Sequence, residues 1–434
     1  MSNIYNLPTE EDSMTIPGSS SGLAFDEETF RHIGYQVMDE VASYLSGIRQ
    51  RPVWQAMPDD IHRAIREQEL PAEGRPFEFP VEGSAGVFVS GGSEANFTCL
   101  QAARQWAAQV DGWDVRAEGV QRTRHPFVLY QSDQGHFCIR RSVEAMGLGR
   151  NAIHIIPSTR SLQMDVDRLR DQILADWGAG LRPFCVVATA GTVETGTIDP
   201  LDELADLCAE QGLWLHVDGA YGAFGILDER VAPLYKGIER AHSLATDQHK
   251  WLSVPIDCGC ALVRNGAALR DAFSLTPPSQ DEHEPWLSEY TLQRTRRFRA
   301  LDVWAVIHSA GRNGLARAIA HNNKMAHLLA QIVEAEPDLE LISSGPLSIV
   351  RFRFAPPELR NEPLLLDRLN KALVDEMQQR GRAFLTSTCF QGKEVLRACI
   401  VNYMTTETDI RTIVDETISV GKKEHPAINW GSSK

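Results

Sequence analysis

Two residues in the middle of the chain, an aspartate and a lysine, have the types and spacing to do chemistry together. Asp218 closes the apolar run 213–217, and Lys250 follows a second apolar stretch 32 residues later. That separation is about the length of one strand–crossover–strand unit, so both residues could extend from the ends of neighbouring strands. Because an unpaired buried carboxylate is costly, we expect Asp218 to face a cation.

A carboxylate that can pair with a protonated ring nitrogen, together with an amine that can attack an aldehyde, is what pyridoxal 5′-phosphate (PLP) requires. In this hypothesis Asp218 keeps the pyridine ring protonated and therefore a good electron sink. Lys250 bonds the aldehyde and presents it to a substrate amine. The ordinary alternatives are that Asp218 caps the next turn and that Lys250 is a surface charge, although the apolar neighbours Trp251 and Leu252 argue against full exposure.

A glycine-rich turn is a candidate phosphate site. Ser90-Gly91-Gly92-Ser93 follows an apolar run and opens a helical stretch. Glycines let the backbone approach a phosphate, and the free N–H groups of a helix N-terminus donate to it. Ser93 can add a hydroxyl. The turn is neither a P-loop nor a dinucleotide fingerprint, so an ordinary strand-to-helix turn is the alternative interpretation.

Three further side chains follow apolar runs at positions where they could assist. His136 could stack on a pyridine ring. His249, beside Lys250, could contact a substrate carboxylate or move a proton, and Thr192 could hydrogen-bond the ring substituents or the carboxylate. A single histidine is more often a hydrogen-bonded structural residue, so these roles depend on a site that gathers all of them.

The elements that must position these groups form an α/β pattern. Short apolar runs begin near residues 86, 127, 152, 184, 213 and 260, with amphipathic stretches between them. Such a pattern indicates a mostly parallel sheet covered by helices on both faces. Ligands of these sheets bind at the carboxyl ends of the strands. Polar clusters follow four of the runs, at 90–93, 132–136, 189–192 and 218, which predicts one shared active site.

The pattern divides the chain into three regions. Residues 1–78 hold a polar tail, an amphipathic helix at 27–48 and a proline-rich connector. Residues 79–300 form the large cofactor-binding domain, and residues 301–434 a smaller α+β domain. In this last domain we expect helices at 303–334, 364–379 and from 407, and strands at 347–354, 383–385 and 395–402.

The overall composition narrows the class of protein. The chain has 434 residues and a formal net charge of −15, so we expect no binding to nucleic acid or anionic membranes. We find neither an apolar segment long enough to span a bilayer nor a secretory signal, so we expect a cytoplasmic protein. The eight cysteines show no zinc spacing, and we expect buried free thiols and no metal.

Taken together, the motifs resemble those of the group II PLP-dependent amino-acid decarboxylases, the family of aromatic-L-amino-acid decarboxylase. The likeness covers the N-terminal arm and nearly everything from Phe79 onward. The matching motifs are Gly91-Gly92-Ser93-Glu94-Ala95, Ser132-Asp133-Gln134-Gly135-His136, Ala188-Thr189-Ala190-Gly191-Thr192, His216-Val217-Asp218-Gly219-Ala220-Tyr221, His249-Lys250-Trp251, Arg296-Arg297-Phe298-Arg299-Ala300-Leu301 and Leu396-Arg397-Ala398-Cys399-Ile400-Val401-Asn402.

The resemblance implies a fold type I enzyme that decarboxylates an L-amino acid to its amine. It implies a homodimer with active sites at the subunit interface. By position, Lys250 resembles the Schiff-base lysine, Asp218 the partner of the pyridine nitrogen and His136 the stacking base. The catalytic residues would then be Lys250, His136 and His249, and the cofactor contacts would come from Gly91, Gly92, Ser93, His136, Thr192, Asp218, Ala220, Asp247 and Lys250.

Two departures from the family leave alternatives open. Family members carry several dozen residues between the connector and the phosphate strand, whereas here residues 75–78 run almost directly into 79–83. Decarboxylating members place a tyrosine in a mobile loop after the lysine strand, where this chain has Ser279, with only Tyr290 nearby. The alternative is a PLP-binding member with lost catalysis, or with catalysis diverted to aldehyde-forming oxidative deamination.

More distant alternatives are a scaffold that kept only the fold and a PLP lyase that acts on Cα–Cβ bonds. In the family, part of the pocket wall that selects the substrate belongs to the stretch that this chain lacks. Trp286 and Phe273 could line an aromatic pocket, but single aromatic residues more often belong to the core.

Overall fold

The computed structural model describes residues 26–47, 63, 84–123, 125–275 and 286–431. The chain divides into two compact units, Met1–Phe79 with Val306–Ala318, and Pro80–Ala305 with Ile319–Lys434. The polar tail, nearly all of the connector, the junction near residue 79 and Ser279 lie outside the described residues. The predicted three-region division, with boundaries after residues 78 and 300, stays a prediction.

The first unit contains helix α1, Glu27–Gly47, which the 3.6-residue periodicity predicted. Asp26 caps its first turn, since its Oδ1 accepts the N–H of Thr29 at 2.7 Å. The apolar side chains of the helix are left in contact with solvent. Phe30, Tyr35 and Met38 are 69%, 69% and 66% exposed.

The second unit is built on a seven-stranded sheet, which confirms the predicted α/β fold with a mostly parallel sheet. Strands β2 to β6 pair in parallel, whereas β7 is antiparallel to both β1 and β6, in the order β1-β7-β6-β5-β4-β2-β3. The strands are β1 Ala85–Val89, β2 Phe127–Ser132, β3 Ile153–Ile156, β4 Arg182–Thr189, β5 Trp214–Asp218, β6 Ser243–Thr246 and β7 Gly259–Val263.

Both faces of this sheet are buried, as its continuous apolar strands require. Alternate residues of β4 belong to different cores: Cys185 and Val187 pack in one cluster, Val186 and Ala188 in the other. The helices of this part are α2 Gly92–Val110, α3 Val115–Glu118, α4 Cys138–Ala145, α5 Val166–Gly178, α6 Leu201–Gln211, α7 Gln248–Trp251 and α8 Gly266–Phe273.

Strand β6 is the element that the sequence analysis did not separate, because its four residues are bounded by polar ones. It pairs in parallel with β5, and Asp218 lies opposite Ala245. Lys250 lies on α7, directly after β6. The expectation that Asp218 and Lys250 extend from neighbouring strand ends is therefore correct.

The C-terminal part has its own antiparallel sheet, as the predicted α+β pattern required. Its order is β10-β11-β9-β8, with helices α10 and α11 against one face. Helix α9, which precedes this sheet, is interrupted at Gly311, where φ is 62°. The bounds are α9 Arg299–Ala335, β8 Leu339–Ser344, β9 Ile349–Phe354, α10 Pro363–Arg380, β10 Thr386–Phe390, β11 Lys393–Cys399 and α11 Glu407–Gly431.

The strand predicted at 383–385 is wrong, and β8 was not predicted. The observed strand β10 begins later, at Thr386, because the hairpin turn fixes its register. Gln391 and Gly392 both have positive φ, 49° and 77°, and form the two-residue turn that places Phe390 opposite Lys393. Such two-residue turns determine which residues of the two strands pair.

The eight cysteines are free thiols, and six of them are buried. Within the described ranges, no group of three or more His, Cys, Asp or Glu side chains is placed to hold a metal ion. Among the helices of the described residues, none combines the length and the hydropathy needed to span a membrane.

Candidate active site

A cavity of about 390 Å³ lies where β1, β2, β4, β5 and β6 end. It gathers every predicted site residue except Thr192. The lining residues are Ser90, Gly91, Gly92, Ser93, Glu94, Asn96, His136, Cys138, Thr189, Gly191, Val193, Asp218, Ala220, Tyr221, Asp247, His249 and Lys250. The carboxyl ends of parallel strands meet at this edge of the sheet, which is where such folds bind ligands.

Asp218 ends β5 with its carboxylate nearly buried, at 5% exposure. Its Oδ1 accepts the N–H of Ala220 at 3.1 Å. One hydrogen bond from a backbone amide leaves most of the charge uncompensated, so the carboxylate can receive a cationic group in the cavity.

His216, two residues before Asp218, is held neutral. Its Nε2 donates to Asn96 Oδ1 at 2.7 Å, and its Nδ1 lies 2.9 Å from the Ser243 hydroxyl. Complete burial lowers the pKa of His216 from 6.5 to about 4, even though the charge of Asp218 opposes this shift. His216 therefore does not neutralise Asp218 near neutral pH.

Lys250 is positioned by the residues on either side of it. Its Nζ lies 2.8 Å from Asp247 Oδ2. The next residue, Trp251, stacks on Tyr221 at 5.1 Å between ring centroids, and its Nε1 donates to Asn322 Oδ1 at 3.0 Å. The aromatic stack and the buried hydrogen bond fix the helical turn that carries the lysine.

The glycine turn at the start of α2 lies close to the other site residues. A Cβ atom on Gly92 would lie 2.7 Å from both Ala220 Cβ and Asp247 Oδ2, so only glycine fits there. Glu94 Oε2 accepts two hydrogen bonds from Ser90, from its N–H at 2.9 Å and from its hydroxyl at 2.5 Å. These bonds connect the first turn of α2 to the residue that precedes the glycines. The N-cap residue of α2 is Gly91, which has no side chain to cap the first N–H groups of the helix.

His136 follows β2 and presents a neutral ring to the cavity. Burial lowers the pKa of His136, and the positive charge of Lys250 acts in the same direction, against the charge of Asp218. Its Nδ1 accepts the N–H of Cys138 at 3.2 Å. The remaining ring proton is therefore on Nε2.

His249 is oriented by the strand that follows it. Its Nδ1 accepts the N–H of Cys258 at 2.9 Å, so its own N–H is on Nε2, which lies 3.7 Å from Asp247 Oδ2. That distance is too long for a hydrogen bond, and the N–H stays available to a ligand.

Thr192 is the predicted site residue that the cavity does not include. It is completely buried, and its hydroxyl lies 2.6 Å from Thr195 Oγ1 and accepts the N–H of Thr197 at 3.1 Å. Its neighbours Gly191 and Val193 line the cavity instead. The hydroxyl stabilises its own loop, which in turn holds Val193 at the wall.

Several lining residues were not selected from the sequence, among them Asn96, Cys138 and Tyr221. Asn96 is four residues after Gly92 on α2, and positions four apart share a helix face, so the spacing could have identified it. Asn96 Nδ2 donates to Cys138 Sγ at 3.4 Å.

The cavity also contacts the C-terminal sheet. The Tyr221 hydroxyl lies 2.8 Å from Ser348 Oγ, and Arg397 Nε donates to the carbonyl of Val193 at 2.7 Å. Two of the wall residues are thus held by the small antiparallel domain.

The proposed aromatic pocket does not appear among the residues that line this cavity. Trp286 is 74% exposed, and Phe273 packs against the core, as does Tyr290. A larger cavity of about 680 Å³ lies near Arg116 and Arg270. Arg270 pairs with Glu289 at 2.7 Å and Arg116 donates to backbone carbonyls, so these charges are used structurally.

The donor set of the smaller cavity fits PLP. It offers an amine for the aldehyde, a nearly buried carboxylate for the ring nitrogen, and a helix N-terminus whose glycines leave room for a phosphate. Lys250 and Asp218 line the same cavity, as the PLP hypothesis required.

Comparison with known proteins gives a consistent result. The model of the pyridoxal-dependent decarboxylase conserved domain matches residues 68–355. An aromatic-L-amino-acid decarboxylase of Bacillus atrophaeus is 37% identical over 342 residues, which cover 77% of this chain and 68% of that protein. An L-2,4-diaminobutyrate decarboxylase of Acinetobacter baumannii is 30% identical over 363 residues, which cover 81% and 71%.

Among solved structures, one match is the glutamate decarboxylase domain of diaminobutyrate-pyruvate transaminase and L-2,4-diaminobutyrate decarboxylase from Vibrio parahaemolyticus. It has a TM-score of 0.70 and 30% identity, and the match covers 79% of this chain and 69% of that one.

Proposed function

Because the chain belongs to the pyridoxal-dependent decarboxylase family, we propose that the cavity around Lys250 is its active site. The protein is a PLP-dependent carboxy-lyase that decarboxylates an amino acid. The observation that supports this location is the placement of Asp218, Lys250 and the glycine turn around one cavity.

In this proposal each group of the cavity has one task. Lys250 holds the cofactor through its aldehyde, Asp218 holds a proton on the ring nitrogen, and the N–H groups at the start of α2 bind the phosphate. When bound, PLP accepts the electron pair that remains on the α-carbon after carbon dioxide leaves.

The two histidines have different tasks, one toward the cofactor and one toward the substrate. His136 offers a neutral ring to the cofactor, because burial lowers its pKa. His249 offers its Nε2–H to the substrate carboxylate, since Cys258 fixes which nitrogen carries the proton. A donor that is fixed before substrate arrives costs little reorganisation during the reaction.

The substrate is proposed as an L-amino acid. The matched relatives are named for aromatic amino acids and for L-2,4-diaminobutyrate. A panel of aromatic, basic and acidic L-amino acids, assayed for carbon dioxide and amine release, decides between these classes. Failure of every member to release carbon dioxide would contradict the proposed function.

The lysine assignment has its own test. We expect Lys250→Ala to lose the visible absorbance of the bound cofactor and to lose decarboxylation by at least about a hundredfold, since the covalent attachment is removed. Lys236→Ala is the matched control, because Lys236 pairs with Asp202 away from the cavity. Retained absorbance in Lys250→Ala would exclude the assignment.

Nothing among the described residues favours the alternative of diverted catalysis, and decarboxylation to the amine is the proposed main reaction. The ratio of amine to aldehyde among the products measures this directly. A majority of aldehyde, formed with consumption of oxygen, would replace the proposal with oxidative deamination.

We further propose a cytoplasmic homodimer. The exposed apolar residues of α1, together with Phe298 at 73% exposure, support a partner subunit, because isolated domains rarely leave so many large apolar side chains in water. Free thiols are typical of a reducing compartment.

A further inference from the structure

Asp247 is a buried carboxylate whose charge is balanced by a single lysine. The residue is 2% exposed, its Oδ2 contacts Lys250 Nζ at 2.8 Å, and its Oδ1 has no hydrogen-bond partner among the residues that the structure describes. Burying a carboxylate oxygen without a partner is costly, so Lys250 is what stabilises the charged form.

The same carboxylate lies against the glycine turn that the proposed function assigns to the phosphate. A Cβ atom on Gly92 would lie 2.7 Å from Asp247 Oδ2, and one on Gly259 would lie 2.8 Å from Oδ1. A phosphate group carries about −1.5 to −2 charge at neutral pH. The Asp247 carboxylate therefore already places negative charge beside the turn that is to bind the negatively charged phosphate.

The other titratable groups that face Asp247 do not supply a compensating charge. His249 Nδ1 is occupied as the acceptor of the Cys258 N–H, and burial lowers the pKa of His136. Burial raises the pKa of the Cys138 and Cys258 thiols to about 12 and about 11. Asp218 and Glu94, which line the same cavity, are acids.

Cofactor binding would therefore change the electric charge around the Asp247 carboxylate in two ways. Lys250 would leave the carboxylate to bond the aldehyde, with loss of one water and with one proton and the positive charge kept on its nitrogen. The phosphate would bring negative charge to the adjoining turn. Two neighbouring buried anions favour the protonation of one of them.

We propose that Asp247 takes up one proton from solvent when PLP binds, and that as a carboxylic acid it donates a hydrogen bond to the phosphate. This inference rests on the proposed function and gives Asp247 a positioning role: it pairs with Lys250 before loading and with the phosphate afterwards. Because a proton is bound together with the cofactor, the affinity for PLP falls as the pH rises.

The test is an absorbance titration of the cofactor-free protein with PLP from pH 6.5 to 8.5, for the unchanged protein and Asp247→Asn. The dissociation constant of the unchanged protein is divided by that of Asp247→Asn at each pH, which cancels the titrations of PLP itself. We expect this ratio to rise with pH, by up to about tenfold per unit, the limit for one linked proton. A ratio that stays constant would overturn the proposal.

A second measurement counts the proton. Calorimetry of PLP binding in two buffers of different ionisation enthalpy should show that the unchanged protein takes up about one proton more than Asp247→Asn. Asp247→Ser repeats both measurements with a smaller side chain, in case the amide is not tolerated beside Gly92. An equal proton count in the three proteins would also overturn the inference.

Asp202→Asn is the matched control, since it removes one negative charge from a residue that pairs with Lys236 and Arg240 outside the cavity. The dissociation constant of the unchanged protein for PLP, divided by that of Asp202→Asn, should not change with pH. The two proposals fail in different ways. If PLP does not bind the unchanged protein, the proposed function is wrong, whereas bound PLP with amine release and a constant ratio rejects only the role of Asp247.

Discussion

At the scale of single residues, the proposed active site depends on which groups are charged before the cofactor binds. Asp218 lies two residues after His216, which is neutral near pH 7 because complete burial lowers its pKa to about 4. A protonated His216 would compete with the ring nitrogen for the same carboxylate. The burial of His216 therefore leaves the Asp218 carboxylate available to a ligand.

Asp218→Asn tests the carboxylate. Loss of a charged hydrogen bond of about 1.5–3 kcal/mol should weaken PLP affinity by roughly 10- to 150-fold, and decarboxylation should fall further because the ring loses its proton. Absorbance titration and carbon dioxide release measure the two effects. Asp133→Asn, at the end of β2 but outside the cavity lining, should change neither. Equal affinity for PLP in Asp218→Asn and the unchanged protein would remove Asp218 from the site.

His216 should make the protein less stable in acid. Its pKa is 6.5 ordinarily and about 4 in the folded protein, so below pH 6.5 the unfolded chain binds a proton that the folded chain refuses. The free energy of unfolding should fall by about 3 kcal/mol as the pH drops from 6.5 to 4. Urea denaturation of His216→Asn across this range should lack that component. An unchanged slope would show that the ring is protonated in the folded state.

At the scale of elements, the site depends on turns that join strands to helices. The turn between β1 and α2 packs against Ala220 and Asp247 so closely that a methyl group does not fit. The loop at Thr192 is held by three threonine hydroxyls, of Thr192, Thr195 and Thr197. These turns, rather than the strands, carry most of the groups that face the cavity.

Gly92→Ala tests the turn. The added Cβ would lie 2.7 Å from two atoms, which is tighter than packing allows, so we expect a loss of about 1–3 kcal/mol in stability and weaker PLP binding. Thermal unfolding and absorbance titration measure these. Gly178→Ala is the matched control at the end of α5, where a Cβ would meet nothing within 4 Å, and it should be neutral or slightly stabilising. Equal behaviour of the two variants would contradict the close approach.

Most elements were predictable because each has a strong local signal. The apolar runs of β1, β2, β4 and β5 and the periodicity of α1 identify those segments without tertiary information. Strand β6 has only four residues, Ser243–Thr246, and its ends are polar, so its place in the sheet depends on its neighbours. The start of β10 depends on the positive φ of Gln391, and glutamine is not a residue type that indicates a positive φ.

The candidate site was predictable to a similar degree, and for a related reason. Residues that follow apolar runs, such as Asp218 and His136, could be brought together by the rule that parallel strands end at one edge. The direction of the Thr192 hydroxyl could not, because it depends on the bend that returns Thr195 to it. Ser93 and Ala220 line the cavity as expected, but their roles toward the cofactor stay predictions.

At the scale of the whole molecule, the exposed apolar side chains bear on assembly. We expect a homodimer in solution, and we expect Phe30→Ser with Met38→Ser to weaken it at least tenfold, since each residue is more than half exposed in the single chain and would bury apolar area against a partner. Sedimentation over a range of concentrations measures the dissociation constant. Leu364→Ser, at a residue that is 78% exposed on α10, is the control. A monomer at all concentrations, or a dimer unaffected by the α1 changes, would reject this surface.

Two hydrogen bonds, from Arg397 to the Val193 carbonyl and between Tyr221 and Ser348, have a consequence other than stabilising the fold. They bring the C-terminal part of the chain into contact with two residues of the cavity wall. A chimera that takes its C-terminal part from a relative would keep Asp218 and Lys250, while the residues that hold Val193 and Tyr221 at the cavity wall would change. We therefore expect such a chimera to keep PLP binding through Lys250 and to differ in the amino acid that it prefers.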